Sequence, residues 1–467
     1  KRINRKIMKH VVSLFGMKIA LLFACILPIA AMAQIDHEYY GRPSYWRPYD
    51  QRGINVFETK KTPDSIPFEG LRIRFGAGFT IQFQDLKHEN AKNSGATRLY
   101  PLQRGFMTSQ ANLFTDVQLA DGISMNVTTY LSARHHNEAW VKGGYIQFDK
   151  LPFLKSKLLD KFMEIATFKV GHMEINYGDA HFRRSDGGHT LYNPFMESYI
   201  MDAFATEIGG EVYLKKNGFF GMLGITNGLI KGNVDSTYKS VAPDGGVIDD
   251  NIKRSPSIYL KGGIDESLGD KLRVRVTGSY YHNGSAMASG QNLYGGDRTG
   301  SNYQNVMENV PSGAALPAST AVAFSGRVNP AFTKKIDAIM LNGFLKVGGV
   351  ELFGTYETAK GRTKTEIADR KANQIAGDII YRFGNAENFY LGARYNEAKI
   401  TLAKTAITTG NFDVKVNRLA FAGGWFMTRN VLVKAEYVEQ KYMDFPVGDY
   451  REHGKFYGYV IEAVVGF

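Results

Sequence analysis

Alternation with period two is the dominant pattern from Leu71 to the C-terminus. In Leu71–Gln84 the odd positions are Leu71, Ile73, Phe75, Ala77, Phe79, Ile81 and Phe83. The even positions are Arg72, Arg74, Gly76, Gly78, Thr80, Gln82 and Gln84. Successive side chains of a strand point to opposite faces, so the segment predicts a strand with one greasy and one wet face. In Lys271–Tyr281, Leu272, Val274 and Val276 oppose Arg273, Arg275 and Thr277, and in Gln374–Phe383, Ile375, Ile379 and Tyr381 oppose Gln374, Asp378 and Arg382. Sixteen strands are expected, near 71–85, 107–119, 123–134, 139–148, 164–173, 204–215, 219–226, 257–265, 271–282, 338–347, 350–358, 373–383, 389–397, 414–426, 431–440 and 455–467. The signal is weakest in the fourth and fifth, because Ala139–Phe148 alternates poorly.

The connections alternate as well. Short ones carry the Gly and Asn chemistry of tight hairpins: Ala120-Asp121-Gly122, Lys216-Asn217-Gly218, Gly348-Gly349, Gly384–Asn388, Thr428-Arg429-Asn430 and the slightly longer Glu266–Asp270. Between them run long polar connections near 86–106, 174–203, 227–256, 283–337, 359–372, 398–413 and 441–454. Arg134–Glu138 is short for its side, and Lys150–Phe162 is long enough for a helix. Short turns at one end and long loops at the other predict an all-β fold, a closed transmembrane antiparallel β-barrel of about 16 strands. An 18-strand barrel follows if Lys150–Phe162 or Asn283–Lys335 hides another hairpin. Tandem β-sandwiches also alternate, but their water-facing side is usually charged. Here the wet face mixes Gly, Thr, Gln and Asn with sparse charge, as a water-filled lumen does. Aromatics gather near strand ends (Tyr280, Tyr356, Tyr381, Phe389, Tyr395, Tyr457), as interfacial girdles require.

The front of the chain reads as an address. Ile19–Ala33 is uncharged and apolar, follows basic residues and ends Ala31-Met32-Ala33, so residues 1–33 are expected to be a signal peptide cleaved after Ala33. A lipoprotein signal at Cys25 is the alternative; the bulky Phe23 and the short apolar stretch before Cys25 argue against it. Residues 34–69 then form a periplasmic or luminal segment, and 70–467 the outer-membrane barrel. Lys1, Arg2, Arg5, Lys6, Lys9 and Lys18 supply six of the twelve net positive charges, so the basic balance loses half its size with the leader and nucleic acid is not the expected partner. Fifty Gly beside 26 Tyr and 30 Phe exclude a disordered chain, and a single Cys excludes a disulfide framework. A mean hydropathy of −0.25, with no uncharged apolar run of about 18 residues, excludes helical spans.

The last strand ends Glu462-Ala463-Val464-Val465-Gly466-Phe467, and its terminal Phe467 resembles the signal read by the outer-membrane assembly machinery of Gram-negative bacteria. The hairpin Gly424–Tyr437 and the run Phe168-Lys169-Val170-Gly171 resemble the phosphate-selective porins O and P and their Bacteroidetes relatives. The resemblance spans most of Leu71–Phe467. It implies a Gram-negative outer-membrane porin, a homotrimer in contact with outer-membrane lipid, and a third long loop, Glu174–Ala203, folded inward as a constriction. The coiled-coil segment and dense arginine ladder of those porins are missing.

The register assigns cations to the lumen, among them Arg72, Arg74, Lys261, Arg273, Arg275, Arg382, Arg394 and Lys434, with Arg134, Lys142, Lys169 and Lys346. Inward anions are Asp116, Glu207, Glu211, Glu351, Glu357, Asp378, Glu436 and Glu462. Twelve against eight predicts mild anion preference in a porin for small hydrophilic solutes or ions; bracing of a wet wall is the plainer reading of each charge. Lys261, Arg273 and Arg275 are read as clustering without an inward acid between them. In the constriction loop, Asp179, Arg183, Arg184, Asp186 and His189 lie around Gly178, Gly187 and Gly188, which are expected to set opposed charges across a narrow space. An external loop with solvated charges is the alternative. An outer-membrane hydrolase would draw on His172, His181, His189, Asp179, Ser185 and Asp186, whose spacing matches no zinc or nucleophile motif. A non-conducting adhesin or structural barrel is the other alternative. His135, His136 and Glu138 are read as a solvated loop tip, and no cofactor or metal is expected. Tyr39–Tyr49 is either a periplasmic tail or a luminal filler, and Asn283–Lys335 reads as a long surface loop.

Overall fold

The computed structural model describes Glu58, Lys61 and residues 68–132, 139–181, 183–186, 190–228, 240–241, 246–249, 255–269, 271–284, 293–297, 299–310, 324–384 and 386–467. Sixteen strands form the wall: β1 Arg72–Glu89, β2 Gln110–Ala120, β3 Ile123–Ser132, β4 Ala139–Phe148, β5 Ala166–Glu174, β6 Thr206–Lys216, β7 Phe219–Thr226, β8 Ser257–Leu268, β9 Leu272–Asn283, β10 Lys335–Val347, β11 Val350–Arg362, β12 Arg370–Phe383, β13 Phe389–Leu402, β14 Phe412–Thr428, β15 Val431–Met443 and β16 Lys455–Gly466. Each pairs antiparallel with its chain neighbours, and β16 closes on β1 from Gly78↔Gly466 to Glu89↔Lys455. Phe467 extends the closure by exchanging two backbone hydrogen bonds of 3.0 Å with Ala77. A two-residue strand, Gly105–Phe106, adds to β1, and Ser240–Val241 pairs with Val247–Asp249 outside the wall.

All sixteen expected strands are present. The 18-strand alternative fails at both places that could have supplied it. Within Lys150–Phe162 the chain starts a short helix, α1 Lys157–Met163, capped by Ser156. The described residues of 284–334 form no wall hairpin.

The alternation has its physical cause on the outside. Leu71, Ile73, Phe75, Phe79 and Ile81 are exposed, while Thr80, Gln82 and Gln84 of the same strand are 2% exposed or less. A soluble sheet would bury the first set, so this wall faces lipid. Among the described residues no helix is long and apolar enough to cross a membrane; the strands cross. Backbone groups in lipid need partners within the wall, and closure supplies them. At the end carrying the short turns, Tyr381, Phe383, Phe389 and Trp425 stack as a ladder with centroids 5.7, 5.6 and 5.9 Å apart. The lipid-facing belt with its aromatic rim is that of a bacterial outer-membrane barrel.

Poor alternation in β4 has a specific origin. The β3–β4 register shifts between Thr128 and Thr129, so Thr128 pairs with Gly143 but Thr129 with Val141. The extra residue, Lys142, reverses face parity along β4. Asn283–Lys335 departs from expectation too: instead of a surface loop, its residues Leu293, Tyr294, Thr299, Asn302, Tyr303, Val306 and Phe332 are all 2% exposed or less.

Candidate functional site

The lumen holds two inward-folded segments, the described parts of 175–205 and of 284–334. Their apolar residues, including Phe195, Ile200, Tyr303 and Val306, share one core with inward wall residues. Non-repetitive backbone inside a barrel must find partners for its N–H groups. The wall supplies them: Met196 N donates to Glu436 at 2.9 Å, Ile200 N to Asn396 at 2.7 Å and Met201 N to Gln374 at 2.8 Å.

Asp179 anchors the 175–205 segment. Gly178, at φ +77°, turns the chain against β10, where a Cβ would collide with Met340. That turn delivers the Asp179 carboxylate to Arg275 at 2.8 Å, Lys261 at 2.7 Å and the Thr277 hydroxyl at 2.7 Å. Burial alone would raise its pKa, but Arg275 and Lys261 outweigh burial and hold the carboxyl far below the ordinary range. Glu58, from the segment preceding the barrel, joins the cluster 3.0 Å from Arg275 and 3.4 Å from Lys261. Its carboxyl is likewise lowered to about 2, the two cations overcoming burial. Lys61 reaches Asp149 at 3.2 Å and the Ala166 carbonyl at 2.7 Å.

The cluster of Lys261, Arg273 and Arg275 is therefore not unopposed. Asp265 lies on β8 at the same face parity as Lys261, 2.9 Å from Arg273 and 3.1 Å from Arg275. It stands at the boundary where the strand was expected to end. Glu58 and Asp179 come from segments without period, which the register of the wall cannot place.

The other expected residues are also engaged. Arg183 donates to Glu351 at 2.6 Å, and Arg382 donates to the same carboxylate at 2.7 Å. Arg184 forms a two-point pair with Asp202 at 2.7 and 2.8 Å. Asp186 accepts from Asn112 at 3.0 Å and pairs with Lys142, which also binds Asp297. Arg394 pairs with Asp378 at 2.7 Å and donates to the Glu197 carbonyl at 2.9 Å. Lys434 binds Glu462 at 2.9 Å and the carbonyls of Thr190, Asn193 and Phe195 at 2.9–3.1 Å. Near the turn end, Arg74 pairs with Asp116, and Arg72 with Glu69 at 3.3 Å. The loop charges thus face partners of opposite sign at contact distance; they do not oppose each other across open space. His189, Gly187, Gly188, Arg134, His135, His136, Glu138 and Tyr39–Tyr49 lie outside the described residues.

Glu197 is the residue that sequence reasoning missed, and nothing periodic marks it. Fully buried, it accepts from Ser185 and Ser301 at 2.8 Å each, Asn302 N at 2.6 Å and Arg327 at 2.7 Å. Those donors come from both segments, so Glu197 clasps one to the other. Burial pushes its carboxyl up, but Arg327 and Arg418 prevail and lower it to about 2. Ser185 is thereby committed to Glu197, while His181 faces Glu174 at 3.0 Å, so the two do not form a nucleophile–base pair. Among the described residues no three His, Cys, Asp or Glu side chains gather as metal ligands.

A small cleft open to solvent lies against β3–β6 and includes Asn126, Thr128, Gly143, Tyr145, Lys169 and Glu211 in its lining. A second lies between the inward segment and the wall near Arg183, Tyr199 and Arg394.

No protein-family model matches the chain, and no curated protein matches its sequence. Among solved structures it is similar to OmpT, an outer membrane protein of Vibrio cholerae, at 13% identity and a TM-score of 0.46, over 86% of this chain and 99% of that one. It is also similar to an anion-selective porin from Comamonas acidovorans (11%, TM-score 0.46, 85% and 100%). Salmonella typhi OmpF in complex with daunomycin aligns at 10% identity and a TM-score of 0.47, over 85% and 98%.

Proposed function

We propose that this chain is an outer-membrane channel of narrow bore, through which small hydrophilic solutes diffuse passively past the described, inward-folded parts of 175–205 and 284–334. One observation carries the reading: beside the apolar residues that the segments share with the wall, the inside of the barrel holds a dense set of buried ion pairs and hydrogen-bonded groups. Replacing buried ion pairs with well-packed apolar side chains is often neutral or stabilising. A barrel serving only as an anchor therefore has no use for Asp179, Glu197 and their cations, whereas a channel needs an inner surface that tolerates water. On this reading Asp179, Arg183, Arg184 and Asp186 anchor a constriction. The pairing of the inward cations leaves little net field, so ion preference is weak. A trimer, and recognition of Phe467 by the assembly machinery, belong to the same proposal.

Liposome swelling tests it. Proteoliposomes should admit sugars of the smallest sizes and exclude larger oligosaccharides. Exclusion of every solute, or hydrolysis of lipid or peptide by the pure protein, would contradict it.

A further inference from the structure

On the lipid-facing side of β11–β16 the strands end, at the loop rim, in lysines that face each other in register. Lys360 on β11 stands directly opposite Lys371 on β12, Lys399 on β13 opposite Lys415 on β14, and Lys441 on β15 opposite Lys455 on β16. Lys335 and Arg362 continue the row between β10 and β11. Parity turns these cations outward, because Ala359, Ala372, Ala398 and Val416 beside them are buried on the luminal side. Like charges directly opposite on neighbouring strands are destabilising. Repeated at alternate seams, they require a counter-charge.

The wall supplies only part of it. Glu397 lies 3.6 Å from Lys399 and 2.9 Å from Lys415, and Glu439 lies 2.8 Å from Lys441 and 3.2 Å from Lys455. One carboxylate serves two ammonium groups in each seam, so a positive charge is left over. Asp369 is shared in the same way, 3.0 Å from both Lys335 and Arg362. Lys360 and Lys371 make no ion pair among the described residues. Asp337, which faces Lys360 from β10, is committed to His282 at 2.7 Å and Tyr280 at 2.9 Å.

Height fixes what the row meets. Lys371, Lys399 and Lys415 lie ten residues along their strands from Tyr381, Phe389 and Trp425 of the aromatic ladder at the turn end. At about 3.4 Å per residue and a tilt of about 40°, that is a rise of about 26 Å, the height of the apolar band of an outer-membrane barrel. Tyr356, Tyr395, Tyr437 and Tyr459 sit two outward positions below the lysines, as interfacial aromatics do. Long loops mark this end as the exterior, so the ammonium groups lie level with the headgroups of the outer leaflet. At the loop rim of β6–β8, by contrast, the wall exposes Ile208, Ile225 and Ile258.

We propose that the outer face of β11–β16 binds a phosphate-bearing lipid of the outer leaflet, its headgroup bridging facing lysines and its chains lying along the aliphatic belt beneath. A phosphate monoester offers several acceptor oxygens and more than one negative charge near pH 7, which suits Lys360 and Lys371 together. Another copy of the chain docking by the same face would bring like charge against like. Lipid binding needs only the outer face of the wall, so it stands whether or not the barrel conducts.

Native mass spectrometry of the refolded protein, titrated with lipid in a neutral detergent, reads the binding. Phosphatidic acid is the probe, diacylglycerol with the same chains the control for the phosphate, and inorganic phosphate the control for the chains. The parent should retain phosphatidic acid and neither control. Lys360→Gln with Lys371→Gln should weaken retention about thirtyfold, while Lys360→Arg with Lys371→Arg should keep it. Lys216→Gln with Lys271→Gln, at exposed positions of the turn end, should bind as the parent does. Without lipid the first variant should unfold at no lower temperature than the parent, because facing charges are relieved; phosphatidic acid should raise only the parent. Equal retention by the parent and the first variant, or equal binding of diacylglycerol, would overturn the site. Equally tight binding of inorganic phosphate would assign the row to a free anion and overturn the lipid. Current steps in planar bilayers report on the channel separately.

Discussion

At the scale of single residues, a carboxylate taken out of water must be repaid by fixed cations, and Asp179 has two. Breaking a buried pair by removing one partner typically costs about 3–5 kcal/mol. Asp179→Asn should fall near the lower end, about 3 kcal/mol, because Glu58 and Asp265 remain beside Arg275. Urea titration of the refolded protein in detergent checks it; no change would mean the pair does not hold the segment. A pH prediction has its sign fixed by the same pairs. The Glu197 carboxyl is lowered from 4.5 to about 2, and that of Asp179 further. Groups with depressed values contribute stability that is fully present above the ordinary carboxylate range and is lost as pH falls through the folded value. Protection of the two segments from an acid-active protease should therefore hold from pH 7 to about 4 and fail toward pH 2. Loss of protection already at pH 5 would show that other groups control the clasp. These residues were only partly legible in the sequence. Arg275 was placed inward by parity alone, but its partners Glu58 and Asp179 lie in chain without period.

At the scale of elements, wall strands were legible because lipid enforces alternation on every one, and β4 was blurred because one bulged residue, Lys142, reverses the parity. The inward fate of the described parts of 284–334 was not legible. Its Gly, Ser and Asn content suits a solvated loop equally well, and its few apolar residues, such as Leu293, Tyr303 and Phe332, are too scattered to signal a core. The aromatic ladder is a property of neighbouring elements, since Phe383 pairs with Phe389 and Phe389 with Trp425 across registered strands. Aromatic pairs contribute about 0.5–1.5 kcal/mol each beyond their area. Trp425→Ala should lower stability by about 1–3 kcal/mol in the same titration, with pore properties unchanged, because Trp425 faces away from the lumen. A change in ion selectivity would contradict that outward placement.

At the scale of the whole molecule, the channel proposed above has a bore that depends on how firmly the filling of the closed wall is held. Arg183 and Arg184 are where the filling meets both the wall and itself, through Glu351 and Asp202. Their joint removal frees the segment at both contacts. Single-channel recording of the purified protein in planar bilayers, alongside Arg183→Ala combined with Arg184→Ala, is the most direct measurement. The account predicts small, discrete current steps for the parent and clearly larger ones for the double variant. A parent and a variant that both fold and insert yet give no steps would contradict it.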